Sequence, residues 1–158
     1  MQRAIVGFDR DDEEHWRALL DCGHRQHVRH DPPLVERPWV LTDEGRASRL
    51  GEQLDCVRCD RFELPPEFVA YKQTADFTES TLPAALARNH TTKRGVWAKV
   101  VVLEGALRYH VDALATRIDL RAGGEPGIVV PEVPHRVEPL GSVRFRVDFY
   151  RAPDALEH

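Results

Sequence analysis

The sequence predicts a mainly β protein in which a small, zinc-bound α+β module precedes a β-sandwich or small barrel. All three cysteines and four of the eight histidines lie before residue 62. Short strand-like runs separated by Gly and Pro turns dominate the remainder. The junction Phe62-Glu-Leu-Pro-Pro-Glu67 carries two prolines and is suited to a domain boundary. We therefore expect domains at 1–61 and 62–155, with 156–158 as the remnant of an expression tag.

Composition and charge exclude several classes of protein. The 158 residues are 42% hydrophobic and 30% charged, which is typical of a globular domain with a core. No run approaches the roughly 18 apolar residues of a membrane helix, and the start of the chain does not resemble a signal peptide. The net charge of −4 argues against nucleic-acid binding, which needs clustered positive charge. We expect a cytoplasmic protein with no membrane partner.

The first module combines three strand-like runs with one amphipathic helix. The strands are expected at 4–8, 16–20 and 24–30. Thr42, followed by two acidic residues, is a plausible N-cap for a helix over 43–55, whose leucines recur at helical spacing. That helix would lead directly to the Cys-x-x-Cys pair.

The second domain is expected to consist of strands and turns. Residues 96–103 and 106–111 flank Glu104-Gly105, which predicts a hairpin. Shorter strands are expected at 116–120 and 128–130. Along 143–150, apolar and polar residues alternate strictly, which indicates a strand with one buried face.

Two short-spaced pairs of soft ligands predict a structural zinc site. Cys22-Gly-His24 is one pair and Cys56-Val-Arg-Cys59 is the other, and together they supply the four ligands of a tetrahedron. His27 is the alternative fourth ligand, since in an extended strand His24 and His27 point to opposite faces. The competing interpretations are a redox-active Cys-x-x-Cys pair and simple buried thiols.

The same residues carry a resemblance. Cys22-Gly-His-Arg-Gln-His-Val-Arg-His-Asp-Pro-Pro33, Arg37-Pro-Trp-Val40 and Cys56-Val-Arg-Cys59 are similar to the motifs of a small bacterial domain family. The similarity covers nearly all of residues 3–61. It implies a zinc-ribbon-like module and brings no activity with it.

The second domain resembles the tellurite-resistance-related (TehB/YeaR-like) cupins. The segments that carry the resemblance include Tyr71-Lys-Gln-Thr74, His90-Thr-Thr-Lys-Arg-Gly-Val-Trp97, Val102-Leu-Glu-Gly105 and Pro131-Glu-Val-Pro-His135. It implies a single cupin (jelly-roll) barrel in which His90 and His135 form a weak divalent-metal site. Two usual cupin ligands are absent, because Thr92 and the Trp97-Ala98 region stand in their places.

These observations lead to a functional hypothesis with two alternatives. We expect a stress-related cupin that binds or detoxifies a small molecule or oxyanion, with Trp97, Lys99 and Tyr109 at the ligand. One alternative is a metal-dependent cupin enzyme, an oxygenase or isomerase. The other is an adaptor in which the zinc module contacts a protein or nucleic acid. The sequence leaves open whether the protein is an enzyme and whether the barrel forms a homodimer.

Overall fold

The chain forms two compact units, Met1–Arg61 and Phe62–His158. The computed structural model describes residues 1–156, so residues 157 and 158 of the expected tag remnant lie outside the described part. The expectation of a mainly β protein is confirmed, because residues in strands far outnumber residues in helices. The strands are β1 (Gln2–Arg10), β2 (Trp16–Leu20), β3 (Arg25–His27), β4 (Gln53–Asp55), β5 (Val69–Gln73), β6 (Phe77–Thr78), β7 (Trp97–Val111), β8 (Thr116–Arg121), β9 (Gly127–Val129) and β10 (Arg136–Arg151), and the α-helices are α1 (Asp43–Ser48), α2 (Val57–Asp60) and α3 (Ala84–Ala87).

The first unit is built on a four-stranded antiparallel sheet in the order β3-β2-β1-β4. Its buried aliphatic residues are few, namely Ile5, Ala18, Leu20, Val28 and Val40. The three cysteines are buried as well. The first unit therefore has a small aliphatic core and, in addition, three buried thiol groups.

The helix expected over 43–55 is shorter in the structure. Thr42 caps α1 as predicted, since its hydroxyl accepts a hydrogen bond from the Gly45 amide. The helix ends at Ser48, and Gly51 then adopts a left-handed φ of 87°. Beyond this turn, Gln53–Asp55 pairs with β1 instead of continuing the helix. Sheet pairing thus outweighs the helical periodicity of the leucines.

Two tryptophans of the first unit contact charged or aromatic side chains. The Arg46 guanidinium lies 3.9 Å from the ring centroid of Trp16, and that of Arg10 lies 4.5 Å from it. Trp39 packs edge-on against Phe8, with ring centroids 5.9 Å apart. These contacts join strands β1 and β2 to the segment that contains α1.

The second unit is a six-stranded antiparallel sheet. Its main path is β5-β10-β7-β8, while β6 pairs with β10 and β9 pairs with β7. The long strands β7 and β10 pair with each other along most of their length. Its largest fully buried side chains are Trp97, Tyr109, Phe145 and Leu107. The strand with strict alternation, 143–150, lies within β10 and buries Val143, Phe145 and Val147.

The hairpin expected at Glu104-Gly105 is absent from the described sheet. Strand β7 runs straight through Gly105, and its two halves both pair with β10. The register shifts between Pro139 and Val143, which marks a bulge opposite Gly105. A Cβ atom on Gly105 would lie 2.0 Å from the backbone oxygen of Ser142, and φ at Gly105 is 76°. The Glu104-Gly105 step therefore lies opposite a bulge within paired strands and does not form a turn.

The structure does not confirm the predicted cupin jelly roll. A jelly roll packs two sheets that together contain eight strands. In the described part of the second unit, six strands lie on one hydrogen-bonded sheet. Gly and Pro turns and regular strand spacing indicate β structure, but they do not distinguish one such architecture from another.

None of the described helices is both long and apolar enough to cross a membrane.

Candidate metal centre

Two tight backbone segments of the first unit bring four soft ligands together. Cys22 and His24 lie in the turn between β2 and β3, where Gly23 adopts a φ of 96°. The Leu20 amide donates to the His24 carbonyl at 3.0 Å and closes this turn. Cys56 is the N-cap residue of α2, and Cys59 lies within that helix. The cluster, called here the Cys/His cluster, consists of Cys22, His24, Cys56 and Cys59.

The atoms of the Cys/His cluster lie at short mutual distances. The His24 Nδ1 atom is 3.4 Å from the Cys22 sulfur, 3.3 Å from the Cys56 sulfur and 3.6 Å from that of Cys59. The sulfurs of Cys22 and Cys56 are 3.8 Å apart. All four side chains are buried, and all four ligand atoms lie within 4.8 Å of one another. Within residues 1–156, this is the one group of three or more His, Cys, Asp or Glu side chains close enough to hold a metal ion.

These distances fit a tetrahedral zinc ion. With Zn–S bonds of ~2.3 Å and a Zn–N bond of ~2.05 Å, tetrahedral angles place two sulfurs ~3.8 Å apart and a sulfur and a nitrogen ~3.5 Å apart. The observed sulfur–sulfur and sulfur–nitrogen separations agree with both values. Three thiolates and one imidazole also form a common ligand set for structural zinc. The donor set and the spacing of its atoms therefore suit zinc.

Thiol crowding changes the acidity of the cysteines. The pKa of Cys56 is lowered, because its sulfur accepts hydrogen bonds from the thiols of Cys22 and Cys59 and from His24. The pKa of Cys22 is raised, because its thiol donates to Cys56 and Cys59 and because it is buried. Zinc binds the thiolate form of cysteine, so a bound ion would replace the hydrogen bonds between these thiols.

His27, the alternative fourth ligand, lies elsewhere. Its Nε2 atom is 2.7 Å from a carboxylate oxygen of Asp11, and its side chain is half exposed. Asp11 also accepts hydrogen bonds from the backbone amides of His15 and Glu13. These contacts lower the pKa of Asp11 to about 2. The structure therefore brings His24, and not His27, to the three sulfurs.

A groove of about 320 Å³ adjoins the Cys/His cluster. His24 and Cys56 reach its wall, whereas Cys22 and Cys59 do not. The other residues that line it are Leu20, Arg25, Gln26, His27, Asp55, Val57 and Arg58.

Sequence reasoning missed the charged residues that surround the second cysteine pair. The amino group of Met1 contacts Asp55 at 2.7 Å and Asp60 at 2.9 Å. The Met1 carbonyl also accepts a hydrogen bond from the Cys56 amide at 2.7 Å. The signal was available, because Asp55 and Asp60 directly flank Cys56 and Cys59 in the sequence. These contacts fix the backbone that presents the two cysteines.

In the second unit, the structure brings His90 and His135 together. They form an isolated antiparallel bridge, and their ring centroids are 5.7 Å apart. The His135 Nδ1 atom lies 3.1 Å from the Val133 carbonyl, so this nitrogen holds the proton of the neutral ring. Burial lowers the pKa of His135, and the neighbouring His90 lowers it further. That this pair binds a divalent metal stays a prediction.

The three residues expected at a ligand lie in different surroundings. Trp97 is fully buried in the core of the second unit. Tyr109 is buried as well, and its hydroxyl donates to the Ile128 carbonyl at 2.7 Å. Burial raises the pKa of Tyr109. Lys99 is half-buried, with its ammonium 5.0 Å from the ring centroid of Tyr150.

Comparison with known proteins relates each unit to a different family. Residues 6–63 match the family described as Protein of unknown function (DUF3565), and residues 72–147 match the TehB-like domain. Two Haemophilus influenzae proteins, each named Probable S-adenosyl-L-methionine-dependent methyltransferase TehB, are 35% and 34% identical to this chain over 79 residues. Each match covers 47% of this chain and 27% of the relative. The chain thus spans about a quarter of the length of these curated relatives.

Solved structures give the same relation. The crystal structure of TehB from Haemophilus influenzae aligns with 55% of this chain at 28% identity and a TM-score of 0.51, and 32% of that chain is covered. Within the second unit, residues 72–147 are thus similar to a TehB-like domain. A crystal structure from Escherichia coli strain K12 aligns with 56% of this chain at 27% identity and a TM-score of 0.51, and here 95% of the other chain is covered. The part of this chain that aligns therefore corresponds to nearly all of that Escherichia coli protein.

These relatives correct the functional hypothesis. The tellurite-resistance-related resemblance is supported as a relation to TehB. The expected cupin that binds or detoxifies a small molecule or oxyanion is wrong, because the relatives are S-adenosyl-L-methionine-dependent methyltransferases by name. The same finding leaves the cupin oxygenase or isomerase and the zinc-module adaptor without support.

Proposed function

We propose that the first unit binds one structural zinc ion through the Cys/His cluster. The observation that carries the proposal is the agreement between the distances within the cluster and those of a tetrahedral zinc site. Burial of all four ligands supports a closed structural site over a catalytic one, which keeps an open coordination position. Bound zinc would fix the turn between β2 and β3 to the start of α2. It would thereby connect β3 and β4, the two edge strands of the sheet.

Metal analysis of the full chain tests this proposal. Protein purified without added metal should contain one zinc per chain, and its three thiols should resist titration until a chelator is added. Cys56→Ser should lower the zinc content well below one. A chain free of zinc whose thiols titrate at once would overturn the proposal.

A matched pair of histidine variants sharpens the assignment. His24→Ala removes a nitrogen that lies within 3.6 Å of three sulfurs, so zinc affinity should fall by at least ~10-fold. His27→Ala removes an exposed ring bound to Asp11 and should leave zinc affinity unchanged. Competition with a chromogenic chelator measures both, and the opposite ranking would move the fourth ligand to His27.

We propose as a second function that the unit related to TehB serves S-adenosyl-L-methionine-dependent methyl transfer as an accessory unit. The supporting observation is that it corresponds to about a quarter of a protein named as such a methyltransferase. Every strand pair among its described residues is antiparallel. Nucleotide-type cofactors are commonly bound at the carboxyl ends of parallel strands, an arrangement this sheet does not provide.

Binding measurements test the accessory role. Equilibrium dialysis with labelled S-adenosyl-L-methionine should show no binding to the chain alone. The chain should bind Haemophilus influenzae TehB from which the matched 79 residues are deleted, and should bind intact TehB less well, because the intact protein retains its own copy. Cofactor binding by the chain itself, or equal binding to both forms of TehB, would overturn the proposal.

A further inference from the structure

The three cysteines of the Cys/His cluster differ in their access to solvent. Cys22 and Cys59 are 0% exposed, whereas Cys56 is 3% exposed and lies on the wall of the groove of about 320 Å³. Of the three cysteines, Cys56 is the one that a small neutral oxidant in this groove reaches first. Oxidation of thiols depends on thiolate character and on access, so the groove selects one cysteine.

We propose that Cys56 is an oxidation site for peroxides and that its oxidation leads to a Cys22–Cys56 disulfide with release of zinc. The proposal rests on the zinc site proposed above. It adds a reactive residue, a class of substrate and a product to a centre that otherwise has only a structural role.

The chemistry proceeds in two steps. The Cys56 thiolate attacks one oxygen of the peroxide, the O–O bond breaks, and the leaving oxygen takes a proton to give water or an alcohol. The sulfenic acid formed on Cys56 is then attacked by the Cys22 thiolate, and its hydroxyl leaves as water after taking a second proton. The peroxide is reduced by two electrons, and the two cysteines are oxidised by two electrons.

The Cys22 sulfur lies close enough to Cys56 to be the partner in the second step. The sulfurs of Cys22 and Cys56 are 3.8 Å apart, and a disulfide bond of ~2.05 Å requires them to approach by less than 2 Å. Cys22 lies on the turn after β2, opposite α2, so the bond links the two ligand-bearing segments. Zinc would then keep only Cys59 and His24 as protein ligands. Two ligands hold zinc far more weakly than four, so the ion leaves.

Peroxide treatment of the zinc-loaded full chain tests the proposal. Hydrogen peroxide should release one zinc per chain, followed with a chromogenic chelator, and dithiothreitol with added zinc should restore the original metal content. The chain has three cysteines, so alkylation and mass spectrometry should find Cys59 as the one free thiol. Retention of zinc under excess peroxide, or a Cys56–Cys59 disulfide, would overturn the proposal.

A pair of surface variants tests the route through the groove. Val57 is 47% exposed and lines the groove, whereas Val6 is 50% exposed on β1 and does not. Val57→Trp should slow peroxide-driven zinc release by at least ~3-fold, while Val6→Trp should leave the rate unchanged. If Val57→Trp reduces zinc content before treatment, Val57→Leu replaces it. Equal release rates for all variants would remove the groove from the proposal and with it the selection of Cys56.

Failure of this inference is distinguishable from failure of the zinc proposal. A purified chain without zinc would refute the structural zinc site itself. A chain with one tightly bound zinc that peroxide does not release would preserve that site and refute only the oxidation of Cys56.

Discussion

The two units of this chain contain very different amounts of apolar core. The sheet of the first unit buries five aliphatic side chains, and its other buried apolar residues are the three cysteines. The second unit buries Trp97, Tyr109 and Phe145, which belong to its two long paired strands, together with many aliphatic residues. Domains of about 60 residues bury too little surface for comfortable stability, and a metal ion is one common remedy. The stability of the first unit should therefore depend on its metal ligands, and that of the second on its packing.

Removal of the metal should have the largest effect on stability, and it should unfold the first unit only. Structural zinc contributes on the order of 10 kcal/mol of apparent folding free energy at neutral pH. A strong chelator should therefore abolish amide protection from hydrogen exchange in residues 1–61 and leave that of β7 and β10 unchanged. Protection that survives chelation in the first unit would show that its small core suffices.

Truncation of a core side chain in the second unit should destabilise that unit and leave the first unit unchanged. Phe145 is 0% exposed and contacts Phe77, with ring centroids 5.6 Å apart. Phe145→Ala should destabilise the second unit by about 3–5 kcal/mol in denaturant unfolding. Zinc content should remain at that of the unchanged protein. A loss of bound zinc in this variant would show that the two units do not unfold independently.

Substitution of Gly105, opposite the bulge, should have an intermediate effect on the free energy of unfolding. Gly105→Ala introduces a Cβ atom 2.0 Å from the Ser142 oxygen at a residue with φ of 76°, and should cost about 2–3 kcal/mol. Gly123→Ala is the matched control, because φ there is 78° but nothing lies within 4 Å of the added atom. That control should cost about 1 kcal/mol. Equal losses of stability would mean that the backbone conformation alone matters and that the bulge tolerates a side chain.

Acidification should have the smallest effect on stability, through one ion pair of the second unit. Arg108 donates a 2.9 Å hydrogen bond to Asp119 and holds the pKa of that carboxyl below its ordinary value. Because the pKa is depressed on folding, the stabilisation is present above the unfolded pKa of ~3.9 and is lost as pH falls through the folded pKa. Unfolding midpoints of Asp119→Asn should therefore fall less steeply below pH 4 than those of the unchanged protein. Identical slopes would remove the ion pair as a source of stability.

The sequence was most informative where chemistry depends on local spacing. Cys22-Gly-His24 and Cys56-x-x-Cys59 each present two ligand atoms from one turn, and the structure brings the two pairs together. The choice between His24 and His27 was left open because it depends on the contact with Asp11, 16 residues away. No periodicity in the sequence reports such a contact.

The errors arose where distant pairing decides between local alternatives. Glu104-Gly105 satisfies the local pattern of a hairpin, but β10 pairs with both flanking segments and keeps β7 extended. The leucine spacing after Asp43 satisfies the pattern of a helix, but β1 recruits Gln53–Asp55 into the sheet. The cupin assignment came from a resemblance, and the relatives correct it.

The three tryptophans provide each unit with its own optical probe. Trp97 is completely buried, so it should emit at short wavelength, and this emission should shift to the red only when the second unit unfolds. The ring of Trp16 is contacted by two guanidinium groups, and Trp39 lies 4.8 Å from a third, that of Arg49. Both rings are only partly buried, so their emission starts at longer wavelength and its intensity depends on nearby charge. Replacing Trp16 and Trp39 by phenylalanine would leave fluorescence that reports on the second unit alone.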